Sequence, residues 1–406
     1  MRITRLATVA AVAAILTAGC AATQDSDSAS ADDTTAPSQV EGDADDEVSD
    51  DGSTVSESSG STEAATTELS EATGTVTASS GETITLGDEQ LVIDEGGTYV
   101  LTGSSSTSVV VNTEESVTLV LDGVDIVSTT GAAIVVESAD DVTIELAAGS
   151  ENRLEDAAAR NEADTAAEIN AVLYSENDLT LTGSGTLTVV ANYEDGIATK
   201  DDLEIVGGTI IVEALDDGIR GRDSITVSDG AITVVAGGDG LKTTNETEAD
   251  RGNVHILGGS IIVSSGDDAI KAQTTMVIDG GTIDVQDSVE GLEAINITIN
   301  DGDITIYASD DGINASAGEV ALDIFIEING GTLDVTVGSG DTDAIDSNGS
   351  ILVTGGDITI TAPTSSFDAD GTALMEGGTL VVNGQQLTSL PQSRMGGGGG
   401  PGGGRP

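Results

Sequence analysis

Thr209-Ile210-Ile211-Val212-Glu213-Ala214-Leu215-Asp216-Asp217-Gly218-Ile219 is a short alternating run that ends in an acidic turn, and the chain returns to it repeatedly. The turn reappears as Asp239-Gly240-Leu241, Asp267-Asp268-Ala269-Ile270, Glu290-Gly291-Leu292, Asp310-Asp311-Gly312-Ile313 and Asp343-Ala344-Ile345. Between these rows runs a second column: Gly207-Gly208, Asp229-Gly230, Gly258-Gly259, Gly280-Gly281, Asp301-Gly302, Gly330-Gly331, Gly355-Gly356 and Gly377-Gly378. Its second glycines fall at 208, 230, 259, 281, 302, 331, 356 and 378, so the steps are 22, 29, 22, 21, 29, 25 and 22. A short period broken only by insertions marks a solenoid.

Within one period, Ile210 and Val212 face the same way on a first strand. Ala214 to Gly218 turns, Ile219 stands as a lone apolar anchor, and Arg220 to Asp223 turns again. Ser224 to Ser228 is the next strand, with Ile225 and Val227 inward. The inward pairs recur as Ile232/Val234, Ile261/Val263, Ile283/Val285, Ile304/Ile306, Leu333/Val335, Ile358/Ile360 and Leu380/Val382. The expected fold is all-β: a right-handed parallel β-helix, a three-faced solenoid of about a dozen coils of ~22 residues. At ~4.8 Å per coil the rod would be roughly 55–60 Å long. Asn152 to Ala171 breaks the period and reads as a looped-out excursion with some helix; shorter ones are expected at Asn245 to Gly252 and Ala315 to Asp323.

The 406 residues carry 12 basic against 72 acidic side chains, a net charge of −60, with one His, one Cys and no Trp. That charge excludes duplex nucleic acid as a partner, because phosphate binding needs Lys and Arg. It also opposes anionic glycans unless cations intervene. At the N-terminus, Arg2 and Arg5 precede the apolar Leu6 to Ala18 and then Thr17-Ala18-Gly19-Cys20. This reads as a signal peptide over 1–20, and the Cys after a small residue resembles a bacterial lipobox. Lipidation at Cys20 would anchor the exported chain at the outer face of the cell membrane. Residues 21–74 are Ser, Thr, Ala, Asp and Glu without Lys or Arg, an expected disordered tether. The folded unit is expected over 75–390, and a Gly/Pro-rich tail over 391–406.

In a parallel solenoid, Asp217, Asp239, Asp268, Glu290 and Asp311 would stack ~4.8 Å apart. Each adjacent pair would then repel by about 3.5 kcal/mol at an effective dielectric near 20. Cations, or water, must offset this. Asp216, Asp217, Asp239, Asp267, Asp268, Glu290, Asp310, Asp311 and Asp343 supply the hard oxygen ligands that calcium prefers. The plainer reading is that Asp-Gly is the turn chemistry of this corner, and both can hold. Lys200, Arg220, Arg222, Lys242 and Lys271 follow the corner in earlier coils and can neutralise it by pairing. Glu293, Asn314 and Asp346 stand there later, so the later coils are the better metal candidates.

The blocks Asp216 to Asp223, Gly238-Asp239-Gly240-Leu241-Lys242, Glu290-Gly291-Leu292-Glu293 and Ser309 to Ala315, with Gly97-Thr98-Tyr99-Val100-Leu101 and Leu119 to Val124, carry a likeness over about 90–385. In them the chain resembles the bacterial carbohydrate-binding parallel β-helix family related to pectate lyases and known for binding cellulose and polygalacturonate. The resemblance implies a domain that binds calcium and polysaccharide without lyase activity, and a monomer is expected. A calcium-dependent lyase would need a base beside the metal. Lys242, Lys271 and Arg222 lie near the corner, but each is its coil's repeating residue. The lone His255 reads as a solvated face residue. A third class is a structural surface protein or adhesin, for which the rod only displays.

Overall fold

The computed structural model describes residues 75–77, 80–81, 83–340 and 342–391. The expected leader with Cys20, the tether over 21–74 and the tail beyond Pro391 lie outside the described residues. Within them the chain is almost entirely β, with one short helix, Glu162–Ala166.

The strands form three parallel ladders, each strand pairing with its equivalent one coil away. The first ladder has thirteen strands, from Thr75–Thr77 to Asp368–Ala369, matching the expected dozen coils. A second runs through Val142–Leu146, Leu179–Gly183 and Ser224–Val227 to Ala373–Met375. The third runs through Glu151–Glu155, Thr209–Ala214 and Thr332–Val337 to Thr379–Val382, closed by the antiparallel strand Gln385–Leu387. The long strand Val117–Val127 pairs into both and joins them into one twenty-four-stranded sheet. This is a parallel-strand solenoid.

Alternation decides what is inside. Ile225, Val254, Met276, Ile297, Ile326 and Ile351 stack in register on the second ladder, all buried. On the third, Ile210, Ile232, Ile261, Ile283, Ile304, Leu333, Ile358 and Leu380 do the same. Aliphatic, mostly β-branched side chains one strand spacing apart fill these columns of the narrow interior. The second glycines of the pairs, Gly208 (φ 94°) to Gly378 (φ 79°), all adopt the left-handed backbone, which is why that column is glycine.

Two expectations need correction. Ile219 is not a lone anchor between two turns: Ile219–Gly221 is a strand of the first ladder. Three residues are too short for alternation to be read in sequence. The excursion starts later than Asn152, because Glu151–Glu155 pairs with Thr186–Val190. Asn152 is buried with its carbonyl oxygen accepting the Gly123 and Val124 N–H groups and its amide donating to Ser150 Oγ and the Thr186 carbonyl. A polar side chain with all partners met is at home in a core. The true excursion is fastened by Arg160, which pairs with Asp156 at 2.8 Å, donates to the Ile169 and Ala171 carbonyls, and lies 4.5 Å over the Tyr193 ring.

Candidate functional site

The acidic rows converge on the corner that leads into the first ladder. Backbone N–H groups of Gly196, Gly218, Gly240, Ala269, Gly291 and Gly312 donate to the carbonyls of Asp217, Asp239, Asp268, Glu290, Asp311 and Asp343, fixing those acids in one column. The residue between the acid and the strand must be small. A Cβ on Gly240 would come within 2.5 Å of the Ala269 carbonyl oxygen and of Val263 Cγ1.

The column begins one coil before the sequence reading placed it. Asp195 in Glu194-Asp195-Gly196-Ile197 belongs to it, and the same block was the available signal. Asp217 N–H donates to Asp195 Oδ1 at 3.2 Å, Asp239 N–H to Asp217 Oδ1 at 3.0 Å, and Asp268 N–H to Asp239 Oδ1 at 2.9 Å. Asp343 N–H repeats the bond to Asp311 Oδ1 at 2.7 Å. The Asp195, Asp217, Asp239 and Asp311 carboxylates therefore cap the turn of the next coil. That is the structural role the Asp-Gly corner was also expected to have.

The remaining charge is met by the next column. Strand register aligns Arg220, Lys242, Lys271, Glu293, Asn314 and Asp346. Arg220 pairs with Asp195 at 3.1 Å; Lys242 bridges Asp217 at 3.3 Å and Asp239 at 2.7 Å. Lys271 holds Asp268 at 2.7 Å and also Glu293. Lys200 and Arg222 do not join them: Lys200 reaches toward Glu168, and Arg222 pairs with Asp223 on the following turn. Among the described residues no Lys or Arg follows Lys271.

The electrostatics follow the pairing. Burial pushes the Asp195 carboxyl up to about 7 against the Arg220 charge, with Asp217 and Asp216 adding to the rise. Burial also raises Asp217, against the Asp239 N–H and Lys242. Asp268 is raised by burial and by the Glu293 carboxylate beside it. Burial would lower the Lys242 and Lys271 ammonium groups, but their carboxylates outweigh it and hold both above the usual lysine range.

Beyond Lys271 the column is acid on acid. Glu290 is pushed up to about 7 by burial and by Glu293, although the Asn314 amide donates to both its oxygens at 3.1 and 3.0 Å. Asp346 is pushed up to about 7 by burial and then by Asp311, Asp343 and Asp368. Asn314 Oδ1 is buried without a hydrogen-bond partner among the described residues.

Carboxylate oxygens gather within 4.8 Å in two groups on this corner: Asp239 with Asp267 and Asp268, and Asp268 with Glu290 and Glu293. Glu293 is a member that the sequence reading placed only as a replacement for a base. Asp216 and Asp310 are exposed and join neither group, and Asp217, Asp311 and Asp343 lie in the column outside both. A third group, Asp178, Asp201 and Asp202, sits between the first and second ladders; the sequence reading passed over it.

Fold and site together define a parallel-strand solenoid with an acidic, partly self-neutralised corner. The family model for carbohydrate-binding domain-containing protein matches residues 87–344, and the chain belongs to that family. It is 38% identical over 135 residues to a carbohydrate-binding domain-containing protein of Acetivibrio thermocellus, a match covering 32% of this chain and 47% of that protein. The chain thus spans about half the length of that relative. A solved structure described as the polysaccharide lyase-like protein from C. thermocellum, a gadolinium derivative, aligns at 28% identity over 72% of this chain and 91% of that one, with a TM-score of 0.42.

Proposed function

We propose that this chain is a non-catalytic polysaccharide-binding protein that engages acidic or cellulosic glycan with the help of calcium. It would be a monomeric right-handed parallel β-helix held at the bacterial cell surface by Cys20. One observation carries the reading: each described Lys and Arg is already paired with a carboxylate, at Arg153, Arg160, Lys200, Arg220, Arg222, Lys242, Arg251 and Lys271. Among the described residues no free Lys or Arg is left to meet a uronate. An acidic glycan would therefore need a cation between two sets of carboxylates.

The cation would sit on the corner past Lys271. Glu290, Glu293, Asp311, Asp343 and Asp346 offer hard oxygens, and the buried orphan Asn314 Oδ1 is a neutral one of the kind calcium takes. Calcium bound there would supply a fixed positive charge able to accept a uronate carboxylate as a further ligand. The handedness is supported by the strong right-handed preference of crossovers between parallel strands. Lys242 and Lys271 are poor lyase bases, since pairing keeps their ammonium groups charged.

The test is retention of polygalacturonate and cellulose in calcium or in excess chelator, with absorbance followed for unsaturated uronate. Retention of polygalacturonate in calcium, its loss in chelator and a flat absorbance trace are expected. Unchanged retention in chelator sinks the cation bridge, and a rising trace sinks the non-catalytic reading. For the anchor, Cys20→Ser should release the protein from the membrane fraction; a variant that stays there contradicts lipidation.

A further inference from the structure

The outward face of the third ladder past Thr282 is a checkerboard. Register puts Thr282, Asp303, Thr332, Asp357 and Thr379 in one column and Asp284, Thr305, Asp334 and Thr359 in the next. Asp303, Asp334 and Asp357 thus have Thr across both strand neighbours and two residues along their own strands, and Asp284 has Thr305 across one neighbour and Ile262 across the other, so like charges are never directly opposed. A third column sets Tyr307 beside Thr336, and Thr336 beside Thr361. Asp303, Asp334 and Asp357 make no ion pair among the described residues and are exposed.

Tyr307 stands apart from the other aromatics. Tyr99, Tyr174 and Phe367 are buried, Tyr193 lies under Arg160, and Phe325 is half-buried. Tyr307 is 46% exposed, on the outward face of a parallel ladder and amid hydroxyls and carboxylates. A sugar ring presents a C–H face that packs on an aromatic ring and a rim of hydroxyls. Asp oxygens accept from that rim, and Thr hydroxyls both donate and accept. The uncompensated carboxylates repel uronates, which selects an uncharged chain.

We propose that the Tyr307 face is a second, cation-independent glycan surface that takes an extended neutral polysaccharide strand. Tyr307 stacks on one sugar ring, and Thr305, Asp334 and Thr336 hold its hydroxyls. The proposal rests on membership of the carbohydrate-binding family and not on the calcium corner.

Affinity electrophoresis of the full chain in excess chelator, through gels containing hydroxyethyl cellulose or galactomannan, tests it. Retardation in at least one gel is expected, with Tyr307→Ala weakened about tenfold and Tyr307→Phe unchanged. Calcium-dependent polygalacturonate retention should survive in Tyr307→Ala. Tyr307 points outward, and circular dichroism checks that both variants fold. No retardation of the wild type, or equal retardation of Tyr307→Ala, overturns the proposal and leaves the calcium reading standing. Loss of both glycans in Tyr307→Ala also overturns it, because the surfaces would then be one.

Discussion

Replacing Lys271 with Met is expected to cost on the order of 3 kcal/mol of stability at pH 8, read from chemical denaturation. The ammonium joins two coils by holding Asp268 and Glu293, whose side chains are 4% and 19% exposed. Removing it strands two carboxylates in the corner, together with Glu290 in the same 4.8 Å group. Burial and the neighbouring carboxylate already raise Asp268, so the stranded pair should take up a proton as pH falls. The loss should therefore shrink toward pH 5. Calcium should restore part of it at pH 8, because the vacated position between three carboxylates suits a cation. A loss independent of pH and calcium would show that the aliphatic stem of Lys271 matters and its charge does not.

The solenoid was legible because its period is written twice, once in acids and once in glycines. Inward pairs such as Ile232/Val234 alternate as read and are buried. The first ladder was hidden since strands like Leu241–Thr243 are three residues long and begin inside what reads as a turn. The basic column was partly legible. Arg220, Lys242 and Lys271 pair as their spacing suggested, while Lys200 and Arg222 follow the corner in sequence yet turn to other acids. Spacing gives the row a residue belongs to, but not which neighbour a flexible side chain reaches. The capping of four coils by the preceding carboxylate was invisible, because it depends on backbone N–H groups 22 to 32 residues away. The exposure of Asp216 and Asp310 beside column members Asp217 and Asp311 is likewise a matter of which of two adjacent acids faces the turn.

The second large effect concerns pH. Asp195, Glu290 and Asp346 are each raised to about 7 in the fold, above their unfolded values near 4. Between those limits the folded state binds more protons than the unfolded chain. Stability from these groups is thus fully present below pH ~4 and lost as pH rises through about 7. In chelator, the protein should melt several degrees higher at pH 5 than at pH 8, opposite to the usual acid destabilisation of paired carboxylates. A cation that binds the ionised corner should reverse this, adding about 2.7 kcal/mol at a hundred times its dissociation constant.

Thermal melts at pH 5 and pH 8, with chelator or calcium, on the wild type and an Asp311→Asn/Asp346→Asn variant, test the corner most directly. The wild type should gain most from calcium at pH 8 and little at pH 5, and the variant should gain little at either. An equal calcium gain in both proteins, or none in the wild type at pH 8, would contradict a cation site in the coils beyond Lys271.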